Sequence, residues 1–158
     1  MASEGNRTWV LTGSPENFRA TREHGFRLAG MKEMRRRMAE QMEPGDRIVL
    51  FATRALAFAA TVRLTSGMFE DRAPVWPVKP GRADQYPWRF RAEPELVLDE
   101  QHWLPAQAVN HSLEHVGKWP AEHWTLAYQG QLRTVSEHDA RVLLDAMGAR
   151  TGAGAGLS

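Results

Sequence analysis

The stretch Arg47–Leu64, RIVLFATRALAFAATVRL, limits what this chain can become more than any other. Two runs rich in β-branched, aromatic and small apolar residues flank a break near Arg54, and runs of that length and make-up read as strands. The turn sequence EPGD at Glu43–Asp46 leads into them, so the pattern predicts a hairpin that feeds a small sheet or barrel. Three further segments carry strand signals. RTWVLT at Arg7–Thr12 is one. QYPWRFR at Gln85–Arg91 opens a second at about Tyr86, with Pro94 ending its regular part. HWTLAYQGQLRTV is expected to fold at Gln129-Gly130 into a final hairpin.

Helical signals stand between these runs. Ser14-Pro15-Glu16 reads as an N-cap, a proline at the first helical position and an acidic first turn, which predicts a helix of about ten residues ending at Gly25. In MKEMRRRMAEQM, Met31, Met34, Met38 and Met42 recur at spacings of three or four and are expected to line one buried helical face, with Lys32, Arg35 and Arg36 elsewhere. Ser136 and Asp139 resemble a capping box ahead of a last helix through Val142 and Met147, closed by Gly148. Ala73–Asp84, with three prolines, reads as a loop, and Gln101–Pro120 as a less regular connection. The result is an α+β domain built on a small barrel over residues 8–148, with a flexible 1–7 and a disordered 149–158.

At 158 residues and 42% hydrophobic content the chain has material for one core. Without cysteine it has no disulfide framework, thiol nucleophile or cysteine-ligated zinc. Its polar start and the absence of a long apolar run argue for a cytoplasmic protein with no membrane partner. The net charge of +1 hides an asymmetry: residues 1–92 hold 16 Lys/Arg against 10 Asp/Glu, and residues 93–158 hold 4 against 9. Arg19–Arg37 alone holds seven basic and two acidic residues, a patch that suits a polyanion.

Signals for catalysis are sparse. HSLEH at His111–His115 matches the H-x-x-E-H pattern of zinc peptidases, which would make His111, Glu114 and His115 a metal-dependent hydrolytic centre. It is one short match in a chain with six histidines. There is no G-x-S-x-G, P-loop or dinucleotide fingerprint, so no catalytic residue and no cofactor is assigned. The six tryptophans stand out instead, with Trp76, Trp88, Trp119 and Trp124 beside prolines or basic residues. Aromatics among cations suit a nucleic-acid site, where rings stack on bases and cations neutralise phosphates; the same rings also fill barrel cores.

From about Trp9 to Met147 the chain resembles the EVE domain, of the PUA-like superfamily and related to YTH domains. The strings TWVLTGSPENF, MEPGDRIVLFAT, KPGRADQYPWRFRAEP, GKWPAEHWTLAYQGQLR and VSEHDARVLLDAM carry it, in that order. The resemblance implies a curved barrel of about six strands flanked by helices. It also implies a non-enzymatic module whose pocket accepts a flipped, modified base in DNA or RNA: methylated or hydroxymethylated cytosine, or N6-methyladenine. Phe26 stands where the family carries a tryptophan, with Gly30-Met31 behind it, and a smaller ring offers a weaker stacking face. The pocket is then expected from Thr12, Ser14, Asn17, Phe26, Gly30, Met31, Tyr86 and Trp88, and phosphate binding from Lys32, Arg35, Arg36, Lys79 and Arg82. Within QYPWRFR, Phe90 and Trp88 are expected to face the core, Tyr86 the pocket, and Arg89 and Arg91 the opposite side. The alternative is a PUA-like module that reads RNA by shape. Related domains often work beside a fused effector, which makes an effector protein the second partner class.

Overall fold

The computed structural model describes residues 6–78 and 86–156. Its centre is a curled half-barrel sheet of six main strands with short helices around it, the α+β architecture expected from the sequence. Strand β1 (Thr8–Gly13) leads into helix α1 (Pro15–Glu23), where the Ser14 side chain accepts from the Asn17 N–H at 3.1 Å and Pro15 takes the first turn. Gly25 and Phe26, both with positive φ (69° and 57°), reverse the chain into β2 (Leu28–Met31). A 3₁₀ turn and helix α2 (Arg36–Ala39) follow. Then come β3 (Arg47–Ala52) and β4 (Ala57–Leu64), the predicted hairpin, with Arg54 in its turn.

Strand β5 (Phe69–Glu70) precedes the long β6 (Trp88–Val97). Pro94 does not end β6. The register with β4 shifts there, so Val62 faces Pro94 while Thr61 faces Leu96, a bulge that leaves Glu95 over. Glu95 then accepts from Arg47, Arg63 and Thr61. Strand β7 (Leu104–Pro105), helix α3 (Glu114–Gly117), β8 (Leu132–Val135) and helix α4 (Glu137–Gly156) complete the fold. The sheet order is β2-β6-β4-β3-β1-β8, with β5 added to β6 and β7 to β4. Among the described residues only β1 and β3 pair in parallel, which requires a long crossover, and the segment holding α1, β2 and α2 supplies it. Among the described residues no helix is long and apolar enough to cross a membrane.

The core lies inside the curl. Phe51 stacks on Tyr128 with centroids 4.1 Å apart and planes 8° from parallel, and Phe58 meets both edge-on. Such pairs add about 0.5–1.5 kcal/mol beyond burial. Ile48, Leu50, Leu143 and Met147 close around them. A buried carboxylate anchors the N-terminal end: Asp46 accepts from the backbone of Arg7 and Glu43 and from the Trp9 indole at 3.0–3.1 Å.

Three further expectations are corrected. The methionine stripe does not lie on one helix: Met31 is buried in β2 opposite Trp88, whereas Met34 is 75% exposed on the following turn. Pairing with the distant β6 takes Met31 out of helical phase. Nor is there a final hairpin. Ala121–Tyr128 coils as 3₁₀ turns after Pro120 so that the Tyr128 ring reaches Phe51, and β8 pairs with β1 instead. Gly148 does not close α4, which continues to Gly156; the Ser136 cap is present, its hydroxyl accepting from the Asp139 N–H at 3.1 Å.

Candidate functional site

The two edges of the curled sheet, β2 and β8, come together without pairing along a strand. At this seam the Lys32 N–H donates to the Gln131 side chain at 2.9 Å, and the Thr12 hydroxyl donates to the Gly130 carbonyl at 2.6 Å. A cavity of about 20 Å³ opens here, lined by Thr12, Gly13, Asn17, Thr21, Gly30, Trp76, Tyr86 and Gln131 over a floor of Leu11, Leu50 and Val62. The seam thus joins Thr12, Asn17, Gly30 and Tyr86, four residues far apart in sequence.

Trp76 occupies the site's centre. Its indole N–H donates to Thr21 Oγ1 at 2.8 Å, and Thr21 donates to the Asn17 carbonyl at 3.1 Å. Asn17 Nδ2 donates to the Tyr86 hydroxyl at 2.8 Å, and the Tyr86 ring meets Trp76 edge-on at 5.7 Å. Gly30 is what admits the indole: a Cβ there would lie 2.5 Å from Trp76 Cζ3. With the ring in place the remaining space fits one water, far short of a heterocycle. Tyr86 holds a positive φ of 54°, which turns its ring away from the β6 pleat and toward the cavity.

Arg89 holds this arrangement from beneath. Its side chain, expected with Arg91 on the side opposite Trp88 and Phe90, is 1% exposed. The segment before Trp76 covers that face: Arg89 donates to the carbonyls of Tyr86 at 3.1 Å and Ala73 at 2.5 Å, lies 3.6 Å from Asp71, and stands 5.2 Å from the Trp76 ring. Burial lowers its pKa and Asp71 opposes that, but a guanidinium stays charged. Arg91 is exposed, and Phe90 is in the core, as expected.

The other predicted residues fall outside the cavity lining. Ser14 serves as the α1 cap. Phe26 is 6% exposed in the core with Arg22 over its ring. Met31 is fully buried, and Trp88 packs in the core with its indole donating to Glu33 at 3.1 Å under the Arg36 guanidinium. Lys32 reaches the cavity edge through its N–H to Gln131, and the Arg35 guanidinium lies beside Gly130, whereas Arg36 stands over Trp88 and pairs with Glu40. Lys79 and Arg82 lie outside the described residues. Trp76, Thr21 and Gln131 were missed as pocket residues; the signal for Trp76 was an aromatic between prolines in a long loop.

HSLEH does not set its two histidines as the zinc-peptidase pattern requires. Leu113 is extended (φ −96°, ψ 123°) and separates two short helical turns, so His111 and His115 do not share a helix face. His115 is buried, with Nδ1 3.1 Å from Asp139. Burial lowers its pKa against the pull of Asp139, so the ring is neutral and Nδ1–H donates. Burial would raise the Asp139 pKa, but backbone N–H groups of Glu114 and His115 outweigh it and hold the carboxylate low.

No protein-family model matches the chain, and no curated protein matches it. Solved structures do. The YTH domain of the Zygosaccharomyces rouxii MRB1 protein, in complex with N6-methyladenosine RNA, is 12% identical, with a TM-score of 0.62 over 90% of this chain and 86% of that one. The Pho92 YTH domain in complex with m6A is 13% identical, with a TM-score of 0.61 over 89% and 82%. A Pseudomonas putida protein is 12% identical, with a TM-score of 0.58 over 89% and 99%. At these identities the likeness is one of fold, and the fold is YTH-related.

Proposed function

We propose that this protein is a non-enzymatic binding module that recognises a modified base, methylated or hydroxymethylated cytosine or N6-methyladenine, in DNA or RNA. The observation that carries the reading is the seam cavity: two aromatic rings, Trp76 and Tyr86, with the Asn17 amide bonded to the Tyr86 hydroxyl, and Lys32 and Arg35 at the edge. Similarity of fold to YTH domains solved with methylated RNA supports the same ligand class. The ordered strings from TWVLTGSPENF to VSEHDARVLLDAM support the EVE branch of that fold.

The chemistry follows from the geometry. A base enters only when Trp76 swings off Gly30, and the indole then offers a face for stacking. Flipping a base from a duplex costs a few kcal/mol, which stacking at about 1–3 kcal/mol per base offsets. One buried methyl adds only about 0.8 kcal/mol, so hydrogen bonds must supply the rest of the selectivity. The Asn17 side chain has both a donor and an acceptor, the pair that matches the amino-and-ring-nitrogen edge of adenine. Lys32, Arg35 and Arg36 hold phosphates without reading sequence.

The test is fluorescence anisotropy with nine-nucleotide single strands, RNA and DNA, plain or carrying one central modification. Asn17→Ala and Trp76→Ala should abolish the preference for the modified strand, while Lys32→Ala weakens binding to both strands alike. A preference that survives both cavity substitutions contradicts the assignment. Tight binding to structured RNA without regard to modification would favour recognition of RNA shape instead.

A further inference from the structure

A second concavity lies along the same seam. β8 forms one wall with Arg133 and Thr134, the segment after β2 forms the other with Arg37, Met38 and Gln41, and Lys118 and Trp119 stand at its end. Its volume is about 710 Å³, within the range of ligand sites and far larger than the cavity beside it. Four cations line it, Arg7, Arg37, Lys118 and Arg133, and no carboxylate does. Trp119 is 39% exposed, one of few large apolar side chains left open on the described surface.

The groove lies beside the cavity along the same chain segment. Gln131, just before β8, lines the cavity and Arg133 in β8 lines the groove, two residues apart, or about 7 Å at roughly 3.3 Å per residue. The Arg35 guanidinium lies beside Gly130, next to the cavity residue Gln131. Two buried side-chain nitrogens lack a hydrogen-bond partner among the described residues, and both are at this seam: Arg35 Nε and His115 Nε2. Native proteins seldom leave such atoms unpaired. His115 lines the groove, and because its Nδ1–H is committed to Asp139, Nε2 is left as an acceptor. A groove with cations along its walls, an open indole and an unpaired acceptor matches the phosphates, bases and amino or hydroxyl groups of a single nucleic-acid strand.

We propose that the groove carries the single strand that leads away from the base in the cavity, with Arg37 and Lys118 on its phosphates and a base stacked on Trp119. This rests on the base-binding reading for its geometry, and the two can be separated by experiment. Arg37 and Lys118 are exposed, so Arg37→Ala with Lys118→Ala, and Trp119→Ala, leave the core untouched. The probes are a nine-nucleotide single strand and a trinucleotide, each with a central N6-methyladenosine, prepared as RNA and as DNA.

For the nine-nucleotide strand the double variant should lose about tenfold in affinity at low salt, and its salt slope should be shallower by roughly 1.4, the release expected for two phosphates. Trp119→Ala should lose about fivefold or more. Affinity for the trinucleotide should stay at the wild-type value in both. Unchanged binding of the long strand, or equal loss for long and short, overturns the proposal. So does displacement of the strand by polyglutamate at equal charge, which would mark the groove as a general anion surface. If the groove variants lose affinity while Asn17→Ala changes nothing, the groove stands and the base-pocket reading fails; if wild-type protein binds neither probe, both fail.

Discussion

Gly30→Ala tests whether the site is built around the Trp76 indole. The φ of Gly30 is not in the left-handed region, so the cost of a methyl is one of contact rather than backbone strain. The added Cβ would fall 2.5 and 2.7 Å from two indole carbons and 3.1 Å from the Tyr86 Cβ, so the indole must move. Movement breaks its hydrogen bond to Thr21, worth about 1 kcal/mol, and the edge contact with Tyr86, worth about 0.5–1.5 kcal/mol. The ring belongs to a loop and can swing outward, which limits the loss to about 1–2 kcal/mol, a melting temperature lower by about 3–8 °C for a domain of this size. Thermal unfolding by circular dichroism reads the stability, and tryptophan emission reads the indole: it should shift red, and Trp76→Phe in the same background should remove the shift. The methyl also occupies the cavity floor, so preference for a modified strand should disappear. A Gly30→Ala protein with wild-type melting temperature and wild-type emission would refute the packing argument.

Other substitutions probe the rest of the account. Met31→Ala should cost about 2–5 kcal/mol in urea unfolding because it empties a fully buried position, whereas Met34→Ala should stay within about 0.5 kcal/mol. Arg89→Ala should cost about 2–4 kcal/mol and redden tryptophan emission, since it removes the donor that holds the Ala73 and Tyr86 carbonyls and the cation under Trp76. His115 has its pKa below the usual 6.5 in the fold, so the unfolded chain takes up the proton first; stability is full above pH 6.5 and falls as pH drops from there through the folded value. The melting temperature of His115→Gln should therefore depend less on pH between 7 and 5 than that of the wild type. Asp139, held below its usual 3.8, should add a second loss at lower pH in both proteins.

What could be read from the sequence was local. Ser14-Pro15 states its own helix start, and the Arg47–Leu64 hairpin needs only the alternation and turn within it. Thr12, Asn17 and Tyr86 were legible because the resembling strings hold β1, α1 and the approach to β6 in order, and Gly30 because it follows the position where the family carries its pocket tryptophan; the sheet curl then brings them together. The misses were decided by partners far along the chain. LAGM is a strand because β6 pairs with it, which overrode the three-and-four spacing of the methionines. Tyr128 is drawn to Phe51 and so ends a 3₁₀ stretch rather than the first strand of a hairpin. Arg89 is buried because a loop folds over a face that alternation alone leaves open, and the same loop delivers Trp76. Phe26 reads as a pocket aromatic only if the turn after α1 opens outward, but its positive φ sends the ring inward.

The central claim is that a modified base is read in the seam cavity, and a matched-pair measurement on the wild-type protein tests it most directly. Anisotropy binding of nine-nucleotide strands that differ only in one central N6-methyladenosine, 5-methylcytosine or 5-hydroxymethylcytosine is followed at 50 mM and 200 mM salt. Stacking and hydrogen bonds in a cavity do not depend on counterion release, so the affinity ratio of modified to plain strand should exceed tenfold for one modification and hold at both salts while absolute affinity falls. A ratio near one for every modification at both salts would contradict the account and leave a basic surface without a base pocket.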